Sequence, residues 1–183
     1  MAQAGKPRPC VEHMLLGGMG MRILGIDPGL ATLGYAIIDK QGNTFRALAY
    51  GCFRTEAGLP VEQRLLSLYR DTDRLIKEWQ PRVMAVEQLF FNRNVTNAFL
   101  VGQARGVCLL AAAQNGCPVA EYTPLQVKQA VVGNGRAAKQ QVGAMVRVLL
   151  NLAEIPRPDD AADALAVALC HGNTPPGFAL RRG

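Results

Sequence analysis

The stretch RILGIDPGLATLGYAIIDKQGNTFRALAYGCF, residues 22–53, decides the fold class. Arg22–Asp27 is a short apolar segment stopped by Pro28-Gly29, and Tyr35–Asp39 is a second. Thr44–Phe53 is a third, reached across the turn residues Lys40-Gln41-Gly42-Asn43. Turn-forming residues at both junctions and apolar runs of strand length predict a three-stranded meander. Downstream the period changes. Val61, Leu65, Leu68, Leu75, Ile76 and Trp79 recur at helical spacing with charges between them, and Pro81 closes the segment, which predicts an amphipathic helix. Val83–Glu87 reads as a fourth strand, Val95–Gln114 as a second helix and Pro118–Tyr122 as a fifth strand. Thr123 is placed to cap a short helix with Pro124 at its first position. Gly133-Asn134-Gly135 breaks that helix, another runs to about Asn151, and a last one covers Asp160–His171. Three strands followed by alternating helices and strands predict one α/β domain, a mixed five-stranded sheet with helices on both faces.

The chain has 183 residues, 49% hydrophobic and 19% charged. This length suits a single domain with a real core. The composition is too apolar for disorder, and no apolar run approaches the roughly 18–20 residues of a membrane helix. Five cysteines, at 10, 52, 108, 117 and 170, form no C-x-x-C pair, so they read as small buried hydrophobes rather than as a disulfide framework or zinc site. Residues 1–20 carry two prolines, four glycines and Glu12, which does not match a secretion signal. They read as a flexible leader or an upstream start. Residues 21–172 form the expected domain and 173–183 a short tail, with the protein expected in the cytoplasm.

Twenty Lys and Arg against 14 Asp and Glu give a net charge of +6, which suits a polyanionic partner. The distribution is more informative. Between Gln88 and Ala153 lie Arg93, Arg105, Lys128, Arg136, Lys139 and Arg147 against Glu121 alone, so one continuous part of the chain holds most of the excess.

Four acids stand among apolar neighbours. Asp27 ends the first strand, Glu87 the fourth, and Asp160 and Asp163 open the last helix. In open α/β sheets the functional crevice lies beyond the carboxyl ends of the strands, so Asp27 and Glu87 become neighbours if their strands are parallel and adjacent. Asp160 and Asp163, three residues apart, share one helix face. Asp159 could share it too, but following Pro158 it is expected to cap the helix instead. Such a carboxylate group repels itself unless cations neutralise it, and all-oxygen ligands select hard ions such as Mg²⁺ or Mn²⁺. Metal-assisted phosphoryl chemistry is the natural use.

At these residues the chain resembles a known family. Gly25-Ile26-Asp27-Pro28-Gly29, Glu87-Gln88-Leu89-Phe90, Gly102-Gln103-Ala104-Arg105-Gly106, Gln126-Val127-Lys128-Gln129 with Val131-Val132-Gly133, and Asp160-Ala161-Ala162-Asp163-Ala164-Leu165-Ala166 resemble, in order and spacing, the RuvC family of bacterial Holliday-junction resolvases. The resemblance implies an RNase H-like fold, a homodimer, and Mg²⁺-dependent paired nicking of four-way junction DNA in recombination and repair. It implies that Asp27, Glu87, Asp160 and Asp163 hold two Mg²⁺ ions, with Mn²⁺ as a substitute, and that the branch-migration motor of RuvA and RuvB is a partner. Lys128 and Lys139 match basic positions near the phosphates, and Phe90 matches an aromatic that stacks on unpaired bases. Arg93, Arg105 and Arg136 complete the expected DNA contacts. Gly102 and Gly106, with Ala98 one turn earlier, form a small-residue helix face suited either to a dimer contact or to packing on the chain's own sheet.

Two other enzyme readings and one binding reading compete. A YqgF-type RNase H-like protein leaves the segment Gln126–Gly133 unexplained. An actin-like ATPase needs two lobes and far more than 183 residues. An architectural DNA binder has no use for four acids, which repel DNA when no metal is bound.

Overall fold

The computed structural model describes residues 20–88 and 95–175. The leader, Phe90, Phe91, Arg93 and the end of the tail lie outside the described residues. Strands β1 (Met21–Asp27), β2 (Thr32–Gln41) and β3 (Thr44–Arg54) form the expected antiparallel meander, followed by helix α1 (Val61–Trp79) and strand β4 (Val83–Glu87). Helix α2 (Val95–Gln114), strand β5 (Val119–Tyr122) and helices α3 (Pro124–Val132), α4 (Lys139–Leu149) and α5 (Asp159–Asn173) complete the chain. The sheet order is β3-β2-β1-β4-β5. β1 runs parallel to β4, and β4 parallel to β5.

Alternation along β1 divides the core. Ile23 faces the α3–α4–α5 layer, with Ala36, Ile38, Ala85, Leu165 and Leu169. Leu24 and Ile26 face the α1–α2 layer, with Leu33, Ile37, Leu68, Met84, Val86 and Cys108. A period of two on a strand sends successive side chains to opposite faces, so a sheet buried on both sides needs apolar residues at every position of its central strand. Cys108, Cys117 and Cys170 are buried free thiols and Cys52 is a half-buried one, as their small size suggests.

α5 sits unusually close to the sheet. A Cβ at Gly25 would stand 2.1 Å from the Ala164 carbonyl oxygen, and one at Gly34 would stand 2.0 Å from that of Asp160. Both distances are far inside contact, so the two glycines are the room in which the α5 backbone lies. The alanines of α5 complete the close fit: Ala161, Ala164 and Ala168 are fully buried.

α3 begins as its sequence predicts, with Thr123 Oγ1 accepting from Gln126 N at 3.1 Å and Gln126 Oε1 accepting from Thr123 N at 2.8 Å. The start of α5 differs from expectation. Its cap is Pro158, and Asp159 is the first helical residue and makes no capping bond. The Pro158 carbonyl already accepts from Ala161 N and Ala162 N, at 3.0 and 3.3 Å, so the helix begins one residue earlier and the Asp159 carboxylate is free for another partner.

Candidate active site

Parallel pairing of Ile26 with Val86 puts Asp27 and Glu87 at adjacent strand ends, the condition on which their meeting depended. α5 then brings its first turn over the same place. Gly34 is paired opposite Asp27, and the Asp160 backbone rests on Gly34. The acids are therefore gathered by three elements that are distant in sequence.

Their electrostatics reflect the crowding. Burial, and then the charges of Asp163, Glu87 and Asp160, raise the Asp27 pKa to about 7, against a small opposing effect of Lys139. Glu87 is raised as well, by burial and by Asp163, while Lys128 and Lys139 pull it down. Buried like charges disfavour ionisation in this way, so the group calls for positive charge. Part of it comes from the chain itself. Lys139 Nζ lies 2.9 Å from Asp163 Oδ2 and 3.3 Å from Asp159 Oδ2. Partial burial disfavours the Lys139 ammonium, but hydrogen bonds and charge from Asp163 and Asp159 outweigh it and raise its pKa above that of a free lysine.

A cleft of about 230 Å³ opens here, lined by Glu87, Lys128, Lys139 and Asp163 on an apolar floor that includes Val127 and Val167. The donor set fits hard divalent cations, since it is all carboxylate oxygen. Among the described residues, no three carboxylate, imidazole or thiol side chains are gathered closely enough to chelate an ion as they stand.

The expected basic residues separate into distinct environments. Lys128 and Lys139 line the cleft. Arg136 is exposed, beyond the glycine break after α3. Arg105 is not presented to solvent: its side chain is 16% exposed, and its guanidinium meets Glu121 at 2.7 Å. The pair joins α2 to β5. Phe90 and Arg93 lie outside the described residues. His171 pairs through Nδ1 with the Tyr122 hydroxyl at 2.6 Å.

Sequence reasoning missed three supports. Gly34 is one. Thr55 is another: its backbone N donates to Ala31 O at 3.1 Å and its Oγ1 donates to Leu30 O at 2.6 Å, holding the turn that follows Asp27. Arg64 Nε in turn donates to Thr55 Oγ1 at 2.8 Å. The third is the grip of two acids on Lys139. A signal for it existed, because a lysine at the first position of α4 opposes the helix dipole and needs an acidic partner elsewhere.

A two-sided α/β sheet whose parallel strand ends carry clustered carboxylates beside lysines defines the acid-site nuclease class of fold. The comparisons narrow it. The family model "Crossover junction endodeoxyribonuclease RuvC" matches residues 23–171. A relative of that description from Desulfitobacterium hafniense is 62% identical over 154 residues, covering 84% of this chain and 93% of its own. The structure of T. thermophilus RuvC in complex with Holliday junction substrate superposes with a TM-score of 0.79 at 41% identity, over 82% of this chain and 92% of that one. A yeast mitochondrial Holliday junction resolvase, at 15% identity and a TM-score of 0.60 over 84% and 78% of the two chains, shares the fold. The chain belongs to the RuvC family of crossover junction endodeoxyribonucleases, and is accordingly a hydrolytic nuclease of recombination and repair.

Proposed function

We propose that the protein resolves four-way DNA junctions by two symmetric nicks, with Asp27, Glu87, Asp160 and Asp163 holding two Mg²⁺ ions at each site. The observation that carries this reading is the convergence of Asp27, Glu87, Asp160 and Asp163 at one end of the sheet, with Asp27 raised to about 7. Mn²⁺, with the same preference for oxygen, substitutes. When bound, the ions supply Lewis-acid stabilisation of the scissile phosphate and a more acidic attacking water. The chain's own residues bind and orient. Lys128 and Lys139 meet phosphates at the cleft, Arg93 and Arg136 add further DNA contacts, and Phe90 stacks on a base at the opened crossover, worth roughly 1–3 kcal/mol. The products carry 5′ phosphate and 3′ hydroxyl ends. The protein works in the cytoplasm with the RuvA and RuvB branch-migration motor. Among the described residues no helix is long and apolar enough to cross a membrane.

The test is cleavage of a synthetic four-way junction with and without Mg²⁺. Nicking is expected only with the metal, and Asp163→Asn is expected to lose nicking by about a thousandfold or more while retaining junction binding, since phosphoryl transfer rests on electrostatic stabilisation. Equal loss of binding and cutting argues that the carboxylate is structural.

Paired nicks need two sites related by a two-fold axis, hence a C2 dimer. α2 offers the surface. Ala104, Cys108, Ala111 and Ala112 pack on the sheet, while Phe99 and Leu110 on the other side are 66% and 51% exposed. Nothing lies within 4 Å of a Cβ built at Gly106, so this glycine does not serve packing on its own sheet and leaves room for a partner backbone. Leu110→Asp is expected to convert a dimer at micromolar concentration to monomer in sedimentation, and to turn paired nicks into single ones. A dimer that survives the substitution places the interface elsewhere.

A further inference from the structure

Lys139 stands where two clefts meet. The first holds Glu87 and Lys128. The second, about 400 Å³, is bounded by Gln140, Ile155, Arg157 and Asp159. Lys139 and Asp163 line both, whereas Asp159 lines only the second. The lysine therefore has one carboxylate partner at the acid group, at 2.9 Å, and another away from it, at 3.3 Å. The Lys139 ammonium occupies Asp163 Oδ2, so a cation held by Asp163 would share that carboxylate with it, and repulsion between the two positive charges would favour the ammonium on its other partner. A lysine ammonium is a compact charge on a flexible four-carbon stem, so it moves between two nearby oxygens without backbone change.

We infer that Asp159 is a positioning residue, resting on the metal-site reading above: it takes over the Lys139 ammonium when a divalent cation is held by Asp163. Asp159 is not a ligand in this account and acts through Lys139. Without it, the ammonium has Asp163 as its remaining partner and competes more strongly with the metal.

The experiment is a double-mutant cycle on the full-length protein, read by Mn²⁺ binding alone, with free Mn²⁺ counted by electron paramagnetic resonance at neutral pH and 0.15 M salt. Asp159→Asn is expected to weaken Mn²⁺ binding about three- to tenfold when Lys139 is present, the coupling expected of contacting residues in one ion-pair network. In a Lys139→Met background the same substitution is expected to weaken binding by a clearly smaller factor, that of the direct charge alone, because both carboxylates lie within reach of one ammonium and screening over about 8 Å reduces that charge effect without removing it. Asp159→Glu keeps the carboxylate and is expected to restore wild-type affinity. Asp159 is 74% exposed, so these variants retain the fold, and their melting curves check it. Equal weakening in both backgrounds, or no weakening in either, overturns the inference and leaves the metal site standing. Wild-type protein that binds no Mn²⁺ overturns the metal site and the inference with it.

Discussion

In metal-free buffer at pH 8, the Asp27→Asn protein is expected to melt several degrees above the wild type, although it has lost its nicking activity. The cause is the position of Asp27 at the crowded end of β1. Burial first, and then Asp163, Glu87 and Asp160, bring its folded-state pKa to about 7 from an ordinary value of 3.8. Between those values the native state keeps a proton that the unfolded chain releases, so stability falls as pH rises from about 4 to 7 and stays low above it. The gap corresponds to at most about 4 kcal/mol. Asparagine carries no charge at any of these pH values, which removes the loss. At pH 4, where the wild-type carboxyl is protonated in the folded state, the two proteins are expected to melt within a degree or two of each other. Added Mg²⁺ is expected to raise the wild-type melting temperature by mass action on the native state, and to do so much less for the variant. A variant that melts below the wild type at pH 8, or an advantage that persists unchanged at pH 4, shows that Asp27 is not held against its charge.

Gly34→Ala is the second large effect. The new Cβ would stand 2.0 Å from the Asp160 carbonyl oxygen and 2.5 Å from its carbonyl carbon. Neither is the end of a flexible side chain, so α5 or β2 has to shift. Overpacking of this kind costs about 1–3 kcal/mol and occasionally more. The functional cost is larger, because the displaced turn carries Asp160 and Asp163, and misplacement by about 1 Å lowers rates by roughly a hundredfold. The expected outcome is a folded protein that binds junction DNA and nicks it at least a hundredfold more slowly. Gly58→Ala is the control: its Cβ meets nothing within 4 Å, and both melting and nicking are expected to stay as in the wild type. Similar losses at the two positions remove the special place given to Gly34.

Much of this protein was legible in its sequence because the relevant physics is local. Short apolar runs bounded by turn residues before residue 54 and a period near 3.6 after residue 61 distinguish strand from helix. Thr123 with Pro124 marks a helix start through bonds made within four residues. Asp27, Glu87, Asp160 and Asp163 stood out because each interrupts apolar neighbours, an anomaly visible without any fold. What stayed hidden depends on which distant segments touch. Asp159 appeared to be a cap because a residue after proline normally is, yet the Pro158 carbonyl had already begun the helix and the free carboxylate found Lys139, twenty residues earlier. Arg105 belonged by composition to a basic track, but Glu121 on the neighbouring strand takes its charge. The role of Gly34 comes from a backbone oxygen of Asp160, more than a hundred residues away. By itself the sequence determined the strands and helices, the two buried faces of the sheet and the identity of the four acids. Only the tertiary structure decided which charges meet, because ion pairing and backbone contact act over a few ångströms in space, irrespective of separation along the chain.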